Sequence, residues 1–172
     1  MIWRVFKKSP SLPSNDSWWR DADRAAESPD RSAIDDLAAR ATAPDDDADE
    51  AERREEMIDG LRQQELIAAA EALPVVVTQH RVIGADRCHF VTPVSLTGDV
   101  STPGKVFLTG ERLVFVGARV NAWPWHRVRD VARSGRHLVV VGNDGAEAMH
   151  LQCNTYGDAL VIQHVAKRLK RR

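Results

Sequence analysis

Four arginines within ten residues, Arg127, Arg129, Arg133 and Arg136, come closest to a recognisable chemistry in this sequence. A guanidinium presents a planar fork of donors that matches carboxylate or phosphate oxygens two at a time. Trp123, Trp125, His126 and His137 are interleaved with the four. Aromatic ledges beside arginine forks suit phosphate groups, on lipid headgroups or on nucleic acid. The plainer reading leaves the arginines on a solvated face and puts the tryptophans in the core, their N–H groups satisfied at its rim.

Other combinations of reactive side chains are weaker. Cys88-His89 and His150-x-x-Cys153 contain thiol and imidazole, the usual zinc ligands. On strands, however, neighbours one or three apart point to opposite faces, so neither pair converges. Asp45, Asp47, Asp49 and Glu56 fall at positions 1, 3, 5 and 12 of a calcium loop, but Glu50 stands where the sharp turn needs glycine. An acidic helix start accounts for them better. Asp130, Ser134 and His137 lie close together without a nucleophile elbow or a glycine-rich oxyanion loop. Phosphate-cradling glycine motifs are missing too. The expectation is a protein with no catalytic residues, no metal and no cofactor.

The 172 residues include 24 basic and 25 acidic side chains, with 43% hydrophobic content, enough for one real core. Apolar runs such as Leu138–Val141 are too short to span a bilayer. Met1–Lys8 has no signal-peptide core, and two cysteines make no disulfide scaffold, so a cytoplasmic protein is expected. In that opening stretch, Trp3 and Phe6 beside Arg4, Lys7 and Lys8 also suit a peripheral membrane contact. The near-neutral total conceals a division. Residues 1–73 carry a net charge of −8 and residues 74–172 a net of +7. Nine of the ten glycines lie in the second part.

These features divide the chain into three. Residues 1–44 read as a flexible, acidic, low-order region, with a short helix possible from Ser32 to Arg40. Residues 45–73 read as one helix, polar at first, with Met57, Ile58, Leu61, Ile67 and Leu73 forming an apolar stripe in its second half. That helix is expected to dock by its second half and project by its first. Residues 74–172 read as short strands ending in a helix. Strands are expected at 75–78, 87–91, 94–97, 105–109, 112–117, 119–125, 137–142 and 146–152. Gly110-Glu111 suits a type II′ hairpin and Asp144-Gly145 another tight turn. Thr155 caps the last helix, whose buried stripe is Ile162, Val165, Ala166 and Leu169.

Gly104-Lys105-Val106-Phe107-Leu108-Thr109-Gly110-Glu111-Arg112-Leu113-Val114-Phe115 resembles the core hairpin of GRAM domains and related bacterial pleckstrin-homology (PH)-like domains. Trp123-Pro124-Trp125 and the residues to Val131 resemble the step that follows it. The resemblance spans about residues 74–169. It implies an α+β fold, an antiparallel PH-like β-barrel or sandwich capped by a C-terminal helix, used to bind lipids or proteins. The acidic helix and the low-order segment would precede it.

The expected function is therefore a non-enzymatic binding module. Arg127, Arg129, Arg133 and Arg136, with Trp123 and Trp125, would contact an acidic lipid headgroup or an acidic protein segment. Nucleic acid ranks behind these, since no nucleic-acid module is recognisable. The attached acidic stretch Asp45–Glu56 is a candidate to lie against the basic part. Two other classes stay open: an assembly protein docking through its 45–73 helix, and a small hydrolase built around Cys88 or a histidine.

Overall fold

The computed structural model describes residues 15–41, 47–145 and 147–171. Seven antiparallel strands form a single sheet in the order β4-β3-β2-β1-β7-β6-β5. They are β1 (Cys88–Thr97), β2 (Thr102–Thr109), β3 (Arg112–Val116), β4 (Val120–Pro124), β5 (Val128–Ser134), β6 (His137–Gly142) and β7 (Ala148–Cys153). β1 is the hinge of the sheet: it pairs with β2 over most of its length, and with β7 only from Val94 to Thr97. Pro93 fits inside this strand because the β7 side is still unpartnered there. The two expected segments on either side of Pro93 are thus one strand, while 75–78 contributes only a bridge from Val76 to Cys88.

The core hairpin holds β2 and β3 in the register Lys105↔Val116 to Leu108↔Leu113. Its turn is made by a side chain and not by a left-handed glycine; Gly110 has no positive φ. The Thr109 hydroxyl accepts from the N–H groups of Glu111 and Arg112 and donates to Arg112 O. Gly104 has a steric role. A Cβ there would fall 2.6 Å from the Phe115 ring, which also covers Gly117. Val106, Leu108, Leu113, Phe115, Ile162, Val165 and Leu169 are all fully buried in one cluster, as their pattern predicts.

β5 was not legible as a strand. It is bulged between Val128 and Asp130, so Val128 and Val131, three residues apart, both reach the core. The final helix, α4 (Tyr156–Lys170), closes the barrel along this edge. Thr155 caps it by accepting from Asp158 N at 2.9 Å. Gln163 Nε2 donates to Val131 O, satisfying a carbonyl at the sheet edge. The topology and its capping helix define an α+β, PH-like fold.

The N-terminal part departs from the sequence reading. Within the segment expected to have little order, residues 15–41 build two helices, α1 (Asn15–Glu27) and α2 (Arg31–Ala39). Asp30 caps α2, which therefore begins one residue before the expected start at Ser32. Both pack on α3 (Ala48–Ala69), forming a second core from Trp18, Ala22, Ile34, Leu37, Met57, Leu61 and Leu160 of α4. Trp18, Ala22 and Ala25 stand at helical spacing on α1, but most of its buried face is made of small alanines set among charged residues.

Nor does the polar half of α3 project freely. Arg54 is 4% exposed, lies over the Trp18 ring and bonds Glu50 and Ala41 O. Trp19 Nε1 donates to Glu50 Oε1 at 2.8 Å. α4 is consequently shared, with one face on the barrel and Leu160 on the helical layer.

Candidate anion-binding surface

The four arginines are spread along β5 and the turns at its two ends instead of being gathered: Arg127 precedes the strand, Arg129 and Arg133 lie on it, and Arg136 follows it. The rise of a strand puts Arg129 and Arg133 roughly 13 Å apart. Arg127, in the turn just before the strand, and Arg129, near its start, are both exposed. Arg127 reaches Glu147 at 3.8 Å, and Arg129 lies over Gly145 in the β6–β7 turn. Gly145 adopts φ +71°, a conformation glycine tolerates without strain.

Arg133 and Arg136 belong to the other end. The Arg133 side chain is only 9% exposed and pairs with Asp23 of α1. Arg136 bonds Asn154 O and stands over the Tyr156 ring, which in turn packs against Trp19. The acid that meets Arg133 is therefore Asp23, on an unforeseen helix. From the expected Asp45–Glu56 stretch, Glu56 touches this region: its Oε2 accepts from Tyr156 N at the start of α4. A carboxylate there complements the positive end of the helix.

The tryptophans separate in the same way. Trp125 is a core residue, not a ledge. It is buried, and its Nε1 donates to Thr109 O at 2.8 Å. Trp123 is half-buried, packed against the core, and with Ala122 borders a small recess beside Arg127 and Glu147.

Cations at the C-terminal end of α4 complete the first group. Lys170 Nζ donates to Arg129 O, placing the last turn of α4 against the start of β5. Clefts lie on either side of Lys170. One, of about 280 Å³, is lined by Asp130, Val131, Ala166, Lys167 and Arg171. The other, of about 400 Å³, runs past Glu111, Trp125, His126 and Asn143. Arg127, Arg129, Lys167, Lys170 and Arg171 thus share one end of the molecule, all exposed.

The residues considered for metal or nucleophilic chemistry are dispersed. Cys88 is buried and its thiol, raised by burial, donates to Phe90 O. Burial and the neighbouring Asp158 push the Cys153 thiol up to about 12. His89 Nδ1 donates to Pro74 O at 2.7 Å. Among the described residues, no three His, Cys, Asp or Glu side chains are grouped to hold a metal ion. No helix among them is long and apolar enough to cross a membrane.

No protein-family model and no curated protein sequence matches the chain. Solved structures do share its layout at low identity. The C-terminal domain of an unknown protein from Leishmania infantum is 10% identical, with a TM-score of 0.45, over 52% of this chain and 89% of that one. Inner Membrane Complex Sub-compartment Protein 1 from Toxoplasma gondii is 12% identical, with a TM-score of 0.44, over 60% of this chain and all of that one. A structure of human RhoA with the DH/PH fragment of PDZRHOGEF matches 90% of this chain and 54% of its own, at 12% identity and a TM-score of 0.44. At such scores no property of those proteins transfers to this one.

Proposed function

We propose that this protein is a non-enzymatic, GRAM-like binding module for an anionic membrane surface, acting as a peripheral, cytoplasmic protein. The observation that carries the reading is the meeting of Arg127 and Arg129 with the cationic last turn of α4, through the contact between Lys170 Nζ and Arg129 O. The GRAM assignment draws on the Gly104–Phe115 hairpin motif.

A membrane fits this arrangement better than a single small ligand does. The cations stand around a helix end with open clefts between them, so their fields add over a charged plane. Each basic residue held near an anionic leaflet contributes about 1 kcal/mol. Arg133 and Arg136 stay outside this face, engaged by Asp23 and by Asn154 and Tyr156. An assembly role for α3 has less support. Met57, Ile58 and Leu61 are spent in the helical core and Ile67 in the barrel core.

The test is sedimentation of the full chain with phosphatidylserine-containing vesicles and with neutral phosphatidylcholine vesicles. Binding to the anionic vesicles alone, weakening steeply between low and physiological salt, is expected. Arg127→Glu with Arg129→Glu should weaken it by well over about tenfold. Binding to a poly-glutamate peptide but not to vesicles would instead assign an acidic protein segment.

A further inference from the structure

Beside the basic face, and sharing Lys167 and Arg171 with it, α1, α3 and α4 enclose a cleft of about 460 Å³. At its floor Gln64, 3% exposed, meets His164. The Gln64 amide has both hydrogens committed: Nε2 donates to Ala26 O at 2.7 Å and to His164 Nδ1 at 3.1 Å. His164 Nδ1 is therefore an acceptor, and its ring proton sits on Nε2. Two polar atoms are left over, Gln64 Oε1 and His164 Nε2, both buried and without a hydrogen-bond partner. Leaving such groups unmet costs about 1–3 kcal/mol each.

The rim carries charge. Lys167 and Arg168 of α4 and Arg171 at its C-terminal cap line the cleft, with Gln163 beside them and, among the described residues, Glu27 of α1 as the one acid. Arg168 also caps α3, donating to Ile67 O, Ala70 O and Glu71 O. Three cations over an orphaned donor call for an oxyanion, and the adjacent orphaned acceptor calls for a hydroxyl.

We propose that this cleft binds a hydroxyl-bearing phosphate ester, its phosphate held by Lys167, Arg171 and the His164 Nε2–H and its hydroxyl by Gln64 Oε1. The order of the groups follows from their chemistry. Phosphate oxygens only accept, so they take the cations and the imidazole N–H. Gln64 Oε1 accepts only from a group that still has a proton to give.

His164 provides a local readout. Burial, then Arg168, Lys167 and Arg171, hold its pKa below the ordinary imidazole value. A bound phosphate neutralises those cations and raises it. The experiment follows the His164 ring by NMR across pH, in the full chain, with sn-glycerol 3-phosphate, inorganic phosphate or glycerol added.

The expected result is an upward pKa shift with both phosphates and none with glycerol. The ester should bind about fivefold more tightly than inorganic phosphate, the worth of one hydrogen bond. Lys167→Ala with Arg171→Ala, both exposed positions, should abolish the shift while leaving the fold intact, and Gln64→Leu should remove the preference for the ester. Phosphatidylglycerol vesicles present the same phosphate and hydroxyls. A vesicle shift that Gln64→Leu weakens assigns a lipid headgroup, and a shift with the ester alone assigns a soluble ligand. A vesicle shift that Gln64→Leu leaves unchanged comes from the membrane face that shares Lys167 and Arg171, and overturns the lipid assignment. No shift with any of them at about 10 mM, the limit of a useful affinity, overturns the proposal. So does a shift that survives loss of both cations.

Discussion

Gly60 of α3 and Gly157 of α4 meet backbone to backbone: a Cβ on Gly60 would fall 2.3 Å from Gly157 Cα, and one on Gly157 would fall 2.6 Å from Glu56 O. This contact lets the acidic helix lie close enough for Glu56 to reach the Tyr156 N–H. In ordinary helix interiors, alanine is favoured over glycine by about 1 kcal/mol. Here the clash outweighs that gain, because the obstructing atoms are backbone and cannot rotate away. Gly60→Ala should therefore lower stability by about 2 kcal/mol in denaturant unfolding. Gly98→Ala, which meets nothing within 4 Å, should change it by less than about 0.5 kcal/mol. Equal effects at the two positions would show that α3 and α4 do not cross so closely.

The Asp23–Arg133 pair ties α1 to the barrel, and the two partners are unequally exposed. Asp23 is largely in solvent, while the Arg133 side chain is nearly buried, with Nε unpartnered. Asp23→Asn removes the charge that compensates Arg133 and should cost about 1–2 kcal/mol. Amide exchange in residues 15–27 should accelerate with it. If α1 exchange is unchanged, Trp18 and Trp19 hold the helix without help from the ion pair.

What the sequence made legible follows its local periods. β2, β3 and α4 were readable because Val106, Leu108, Leu113 and Phe115, and then Ile162, Val165 and Leu169, keep the spacing of their elements. β5 was hidden by its bulge, which puts Val128 and Val131 out of alternation. α1 was hidden because Trp18, Ala22 and Ala25 bury a face built mostly of methyl groups. The arginines were visible as residues but not as a site. Four positions along one strand and its flanking turns span too far to converge, and the cations that join Arg127 and Arg129 come from the far end of the chain. Lys170 had a sufficient local explanation in the helix dipole, so no signal marked its second role.

The cysteines give a prediction about reactivity. A thiol reacts as thiolate, and Cys153, pushed up to about 12 by burial and Asp158, holds almost none at pH 8. Cys88, also raised and engaged with Phe90 O, should be slow too. Ellman's reagent should label neither within minutes in the folded chain, and both in denaturant. Rapid labelling of one thiol in the native protein would mean that its strand opens readily.

His164 makes stability depend on pH in a definite direction. Its folded pKa is depressed, chiefly by burial and next by Arg168, Lys167 and Arg171, with Glu27, among the described residues, the one acid lining the cleft and Gln64 its neutral partner from α3. In the unfolded chain the imidazole returns to about 6.5. Above that pH both states are neutral at this residue and its contribution is constant. As pH falls through 6.5 (the ordinary imidazole value), the unfolded chain takes up the proton first, so stability declines until His164 protonates in the folded state. Carboxylates add their own losses only at lower pH, nearer about 4. His164→Asn keeps an acceptor for the Gln64 amide and removes the titration. Its unfolding free energy should be flatter than that of the parent chain between about pH 6.5 and 5. Identical slopes for the two chains would mean that the cleft does not oppose protonation of His164.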